Sequence, residues 1–320
     1  MNQYHKRLLQ AATYQNPDEI PVSCWILPAA WKVHGKGLAA LAKEYPEFVH
    51  DIPDVNNLTF HGTYNIGEHV DEWGCVWSNI EEGVEAIVTG HPLPNREDII
   101  SLEIPPNRDG RLPHGFMYLR LLDLRGFEEA MIDFAEECPE LQILIDKVAD
   151  YNCLQVAVRL TGHKKGDMLF FGDDLGMQGG LAIGAAKWRK YLKPAFTRIY
   201  APIKAMGCYV YMHTDGRIID IMEDLVECGA DIINPQYRAN GLEDLVRVCR
   251  GKIPIDLDLD RQLFPIATPS QIDDHVRECV EALYMPEGGL GLKIEIGHDC
   301  PLENIAAVFK AARKYKGYKG

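Results

Sequence analysis

The stretch from residue 168 to residue 216 limits the fold of this chain more than any other. It begins with an apolar run and an acidic turn, MLFFGDDLGMQGG, and ends with a second apolar run and turn, YVYMHTDGR. A long amphipathic segment, residues 186–206, separates the two runs. Parallel neighbouring strands need a helical crossover of about this length, so the order predicts a βαβ unit.

The same alternation continues to the end of the chain. The predicted strands of this part cover residues 154–160, 168–174, 208–213, 230–235, 253–260 and 291–297. Helical segments separate the later strands, and Thr268 is the predicted N-cap of one of them. Strands at residues 20–27 and 116–123 raise the count to eight. A doubly wound open sheet is the alternative, but it usually carries a glycine-rich nucleotide loop, and no GxGxxG or GxxxxGK[ST] occurs here.

We therefore predict an α/β protein whose residues 1–320 form a single (β/α)8 TIM barrel. The first 115 residues are irregular in pattern. Within them, residues 71–93 predict a β-hairpin with its turn near Glu82 and Gly83, because no helical segment separates the two runs. This hairpin would be an insertion beside the main architecture.

Charge and composition exclude several classes of protein. The formal net charge is −14, which disfavours nucleic acid and anionic membranes as partners. No apolar run approaches the length of a membrane span, and the start of the chain lacks the pattern of a signal peptide. The nine cysteines are scattered without a CxxC pair. We expect a cytoplasmic protein with reduced cysteines.

Polar side chains follow five consecutive predicted strands, where barrel enzymes place their chemistry. We predict catalytic roles for Asp173, Asp174, His213 and Asp215. Each of these aspartates also precedes a helix, so a helix cap is the alternative for any one of them. For His213 the alternative is a structural histidine of the core.

A metal site is a second prediction from the same strand ends. A thiolate at Cys300 would lie before a helix N-terminus, where its pKa would be depressed and metal ligation favoured. We predict that His213, His298, Cys300 and an acidic residue such as Asp260 bind zinc, although their spacing matches no zinc motif.

Aromatic and polar side chains elsewhere predict a substrate pocket. The aromatic residues near the N-terminus form either a satellite core or the apolar wall of such a pocket. The predicted substrate-binding residues are Trp25, His61, Tyr64, Tyr211, Asn234 and Asp258.

Residues 172–235, from GDDLG through HTDG to INP, resemble the uroporphyrinogen decarboxylase-like superfamily nearly end to end. DEWGCVW, HPLPNREDI and PLENIAAVFKAARKY extend the resemblance over most of the chain. It implies a single (β/α)8 barrel with one of two main activities. These are decarboxylation of uroporphyrinogen and methyl transfer to or from the cobalt of a separate corrinoid protein.

Departures from the family pattern narrow the expected activity. The decarboxylases carry an arginine-rich N-terminal loop, whereas residues 20–37 here contain Lys32 and Lys36 but no arginine. The thiol-methylating members bind zinc through a His-x-Cys pair and a later cysteine. Here the pair reads His213-Thr214-Asp215, and Cys300 is the later cysteine. A carboxylate in place of a thiolate favours an oxygen-containing substrate.

The GDDLG and HTDG stretches without a His-x-Cys pair resemble a third group of the superfamily, the methyltransferase component of anaerobic O-demethylases. This resemblance implies removal of a methyl group from an aryl methyl ether and its transfer to cobalt(I). TGHKKG lacks the aspartate of the corrinoid-binding DxHxxG signature, so the corrinoid would come from a partner protein. The expected cofactors are zinc and a corrinoid that the partner protein carries. The expected partners are that corrinoid protein and a small methylated aromatic substrate. We also expect a homodimer. The alternatives are a decarboxylase of uroporphyrinogen or a smaller acid, a methylcorrinoid:thiol methyltransferase, and a non-catalytic corrinoid- or tetrapyrrole-binding protein.

Overall fold

The computed structural model describes residues 3–320 and contains one parallel and one antiparallel sheet. The strands are β1 Val22–Ile26, β2 Gly67–Val70, β3 Val76–Asn79, β4 Ile87–Gly90, β5 Met168–Gly172, β6 Tyr209–Thr214, β7 Ile232–Pro235, β8 Ile255–Asp258 and β9 Leu290–Ile296. The α-helices are α1 Gln3–Ala12, α2 Pro28–Lys43, α3 Asp98–Ser101, α4 Tyr118–Arg125, α5 Phe127–Glu136, α6 Pro139–Leu160, α7 Gly184–Lys187, α8 Lys193–Ala205, α9 Met222–Cys228, α10 Tyr237–Asn240, α11 Leu242–Cys249, α12 Pro269–Leu283 and α13 Leu302–Tyr315.

These elements fall into two compact units, each described by itself. The central unit contains Glu68–Ser78 and Ile87–Ile233, and the terminal unit contains the described residues up to Gly67 together with Asn79–Ala86 and Asn234–Gly320. The boundary passes through β7. The six-stranded sheet has the order β1-β9-β8-β7-β6-β5. Its strands β5 and β6 belong to the central unit, and β8, β9 and β1 belong to the terminal unit.

The central unit holds β5 through a cluster of buried aromatic rings. Phe171 of β5 packs against Phe116 at 5.4 Å and against Tyr200 of α8 at 5.2 Å between ring centroids. Phe196 of α8 contacts Phe116 from another side. Because α8 and β5 are fixed together in this way, the carboxyl end of β5 has a defined position in its unit. The structure divides predicted helix 186–206 into α7, a π-helical turn at Trp188–Leu192, and α8.

The terminal unit contains β1, β9 and β8 in parallel register. Val22 to Ile26 pair with Leu292 to Ile296, and Ile255 to Asp258 pair with Leu290 to Lys293. Alternate residues of β9 are fully buried and apolar, which fits one sheet face covered by helices. At the start of α12, Thr268 forms the predicted N-cap within a capping box with Gln271.

Two of the eight predicted strands are wrong. Residues 116–123 lie largely in α4, and residues 154–160 form the last two turns of α6. No proline or glycine interrupts the chain between Pro139 and Leu160, so the helix continues through the apolar run. The parallel sheet of residues 3–320 therefore has six strands, where the barrel prediction counted eight. Predicted hairpin 71–93 is confirmed as the antiparallel pair β3–β4, to which β2 adds a third strand.

Within residues 3–320, no helix combines the length and apolar character needed to cross a membrane.

Candidate functional site

The loops that follow β5 and β6 lie directly against each other in the central unit. The Gly176 amide donates to the Asp215 carbonyl at 3.2 Å, and the Arg217 amide donates to the Met177 carbonyl at 2.8 Å. A Cβ on Gly216 would lie 2.1 Å from the Gly176 carbonyl, and Gly216 has a φ of +79°. Both glycines are therefore needed for this close backbone approach. The contact explains why GDDLG and HTDG each carry a glycine at that place.

Asp173 fixes a third segment to the end of β5. Its buried carboxylate accepts hydrogen bonds from the backbone amides of Met117 at 3.1 Å, Tyr118 at 2.5 Å and Leu119 at 3.0 Å. These amides begin α4, so the side chain caps that helix. Burial raises the pKa of Asp173 to about 7, and the hydrogen bonds from Leu119 and Tyr118 oppose this rise. The structure thus gives Asp173 a helix-capping role, as the alternative proposed, but the helix that it caps lies before it in the chain and not after it.

His114 lies on the segment that Asp173 anchors. The amide of the next residue, Gly115, donates to the Gly172 carbonyl at 2.8 Å. A Cβ on Gly172 would lie 2.6 Å from His114 Nδ1, so only glycine leaves room for the ring there. His114 Nε2 is 3.0 Å from Asp174 Oδ1. The imidazole is in this way directed toward the carboxylate that follows β5.

Two imidazoles and two carboxylates converge at this place. The His114 and His213 rings are 5.6 Å apart between centroids, and His213 Nε2 is 3.3 Å from Asp215 Oδ1. One donor atom each from His114, Asp174 and His213 lie within 4.8 Å of one another, which is the spacing of groups that can share a metal ion. The four side chains are between 25% and 42% exposed, so a ligand can reach them from solvent. Imidazole nitrogen with carboxylate oxygen suits borderline divalent cations and proton transfer.

The structure brings together three of the four predicted catalytic side chains, Asp174, His213 and Asp215, with Asp173 beneath them. Sequence reasoning missed His114. Its signal was weak, because LPHGF precedes a segment that was predicted to be a strand and is the helix α4. A search for polar residues at the carboxyl ends of predicted strands does not find His114, because no strand precedes it.

The other predicted metal ligands lie in the terminal unit. Asp260 is paired with Arg238 at 2.8 and 2.7 Å, and its backbone amide donates to His275 Nε2 at 3.0 Å. Burial raises the pKa of the Cys300 thiol to about 12, so the expected depression is wrong. His298 is exposed. None of Asp260, His298 and Cys300 belongs to the metal-competent group found among the described residues, and their ligation of zinc stays a prediction.

The predicted substrate-binding residues have varied surroundings. Trp25 of β1 is 53% exposed and lies beside Glu295 of β9 in the sheet register. Tyr211 of β6 packs against Phe170 at 4.9 Å between centroids. The remaining four are His61, exposed before a short 3-10 turn; Tyr64, half-buried in that turn; Asn234, buried and donating to the Asp256 carbonyl; and Asp258, buried in β8. Their contact with a substrate stays a prediction.

Comparisons with known proteins identify the family of the chain and a solved structure with a similar fold. The sequence matches the family described as "Uroporphyrinogen decarboxylase (URO-D)" over residues 122–315, which is more than half of the chain. The fold is similar to the solved structure of a methyltransferase from Methanosarcina mazei, with a TM-score of 0.65 and 15% sequence identity, over 96% of this chain and 98% of that one. No curated protein sequence matches the chain. On the family match, the chain belongs to the uroporphyrinogen decarboxylase (URO-D) family.

Proposed function

We propose that this protein is a methyltransferase that cleaves an aryl methyl ether and transfers the methyl group to cobalt(I) of a separate corrinoid protein. The observation that carries the proposal is the group of His114, Asp174, His213 and Asp215 after β5 and β6, which can stabilise a departing oxygen. The family membership and the similarity to a methyltransferase from Methanosarcina mazei also support it. The closed (β/α)8 barrel, the homodimer and the cytoplasmic location stay predictions beside it.

The N-terminal segment has too few cationic side chains to favour uroporphyrinogen decarboxylation. A substrate with many carboxylates needs several cationic side chains to bind it. Residues 20–37 supply Lys32 and Lys36, and Lys32 Nζ already lies 2.9 Å from Glu82. The decarboxylase alternative therefore lacks the local charge that it requires. Asp215, where thiol-methylating relatives have cysteine, likewise disfavours the thiol alternative.

The chemistry requires help at the leaving oxygen. The bond between the methyl carbon and the oxygen breaks, and its electron pair stays on the oxygen. The partner's corrinoid supplies the nucleophilic cobalt. A phenolate, with a conjugate-acid pKa of about 10 like tyrosine, is a much better leaving group than an alkoxide. The group formed by His213 beside Asp215 and His114 beside Asp174 can place positive charge next to that oxygen, either as a proton donor or through a cation that the group binds.

A single-turnover assay tests the proposal. The protein is mixed with a cobalt(I) corrinoid protein and an aryl methyl ether, and release of the phenol and methylation of the corrinoid are followed together. We expect both products in equal amounts, and we expect His213→Asn to slow the reaction by about 100-fold or more. His69→Gln, at an exposed histidine of β2, is the matched control. The proposal fails if ethers, methylamines and methanol all leave the corrinoid unmethylated.

A further inference from the structure

We propose that His114, Asp174 and His213 bind a divalent cation of the zinc class, with Asp215 as the outer carboxylate that orients His213. Its catalytic role, which is to polarise the ether oxygen, rests on the proposed function. The binding itself does not, because it is measurable without any substrate. His114 and Asp174 are the ligands that distinguish this site from the one predicted on sequence.

The distances between the donor atoms fit one shared ion. Ligands at about 2.0–2.2 Å from a tetrahedral zinc ion are themselves about 3.4 Å apart. His114 Nε2 and Asp174 Oδ1 are already 3.0 Å apart, and all three donors lie within 4.8 Å of one another. Since ligands of one ion lie about 3.4 Å apart, the largest separation that binding has to close is about 1.4 Å.

The backbone holds the three donors before any ion arrives. The Gly115–Gly172 hydrogen bond and the Asp173 cap fix the segment that carries His114. The interlocked glycine loops fix the residues that carry Asp174 and His213. The ligand geometry is therefore set by folding, which is the condition for a selective site.

The donor types select the class of metal. Two imidazoles and one carboxylate are the ligands of catalytic sites that keep a coordination position open for water or substrate. His213 Nε2 lies 3.3 Å from Asp215 Oδ1, and a carboxylate beside one ring nitrogen leaves the other nitrogen of the imidazole for the metal. No cysteine is a member of the group, so soft cations have no thiolate here.

Equilibrium metal binding tests the site directly. The protein is stripped with a chelator and titrated with Zn²⁺, and with Co²⁺ as an optical probe, while bound metal is counted by mass spectrometry. We expect about one ion per chain and a cobalt spectrum typical of nitrogen and oxygen ligands. His114→Gln and Asp174→Asn should each weaken binding by about 100-fold or more, and His69→Gln should not change it. Thermal melting of each metal-free variant shows whether it is folded.

The outcomes separate this inference from the proposed function. Stoichiometric binding that His114→Gln weakens, without methyl transfer, supports the metal site and refutes the proposed reaction. Methyl transfer at full rate in metal-free protein refutes the catalytic role of the ion and supports the reaction, and absence of stoichiometric Zn²⁺ or Co²⁺ binding to the folded protein refutes the metal site. Binding that is unchanged in both His114→Gln and Asp174→Asn also overturns the inference.

Discussion

Replacing Gly172 by alanine should displace His114 without unfolding the protein. The backbone of Gly172, the last residue of β5, lies outside the left-handed region, so alanine can adopt it. The added Cβ would lie 2.6 Å from His114 Nδ1, whereas ordinary contact begins at 3.4 Å. The imidazole must therefore move by about 0.8 Å or more. The obstacle is an exposed side chain, which can turn away.

The expected magnitudes follow from this geometry. Losing the contact between His114 and Asp174 costs about 1 kcal/mol, and replacing a strand glycine by alanine returns about 0.5–1 kcal/mol. The free energy of unfolding should thus change by less than about 1 kcal/mol. A metal ligand tolerates a displacement of only about 0.2 Å, so metal affinity should fall by about 10–100-fold, or about 1.4–2.7 kcal/mol.

For Gly172→Ala, denaturant unfolding measures the free energy of unfolding and cobalt titration measures the metal affinity. The matched control is Gly179→Ala, because a Cβ there meets no atom within 4 Å and its φ is not positive. Wild-type metal affinity and methyl-transfer rate in folded Gly172→Ala would refute the placement of His114 in the site. Loss of folding in that variant would refute the claim that only a side chain obstructs the Cβ.

Three further predictions concern the loops and the terminal unit. Gly216→Ala should lower the free energy of unfolding by about 3 kcal/mol or more in a denaturant titration, because its Cβ meets the backbone of Gly176 at 2.1 Å and its φ is positive; wild-type stability would contradict the interlocked loops. Burial lowers the pKa of His275 to about 4, so its neutral form stabilises the fold above the unfolded pKa of about 6.5. About 3 kcal/mol of stability should be lost as the pH falls from about 6.5 to 4, and His275→Gln should show a shallower pH dependence of unfolding than wild type; an equal slope in both would remove His275 as its source. Thr268→Ala removes the cap of α12 and should cost about 1 kcal/mol at neutral pH, with no change in metal binding.

The later strands could be predicted because short buried apolar runs there are bounded by glycine, proline or aspartate. Residues 154–160 carry a similar apolar run but continue a helix that begins at Pro139. Nothing within the run distinguishes the two outcomes, because the difference lies in the upstream residues that nucleate the helix. The strand prediction for residues 116–123 was wrong for a related reason. Its helix is capped by Asp173, which is about fifty residues away in sequence.

The candidate site was predictable only in part. Asp174, His213 and Asp215 follow strands directly, and the rule that parallel strands direct function to their carboxyl ends was sufficient to find them. His114 follows no strand. Its place in the site depends on a hydrogen bond to the Gly172 carbonyl and on the space that the missing Cβ leaves. Contacts of this kind between distant segments leave no periodic signal in a sequence.

The adjacent carboxylates after β5 divide two tasks between them. Asp173 is buried and holds the base of the segment that carries His114, while Asp174 lies at the surface and offers its oxygen to the site. His114, the exposed residue of that segment, does not itself hold the segment in place. In the proposed metal site, a single substitution at position 114, for instance to cysteine or glutamate, would change the set of donor atoms while Asp173 still anchors the segment.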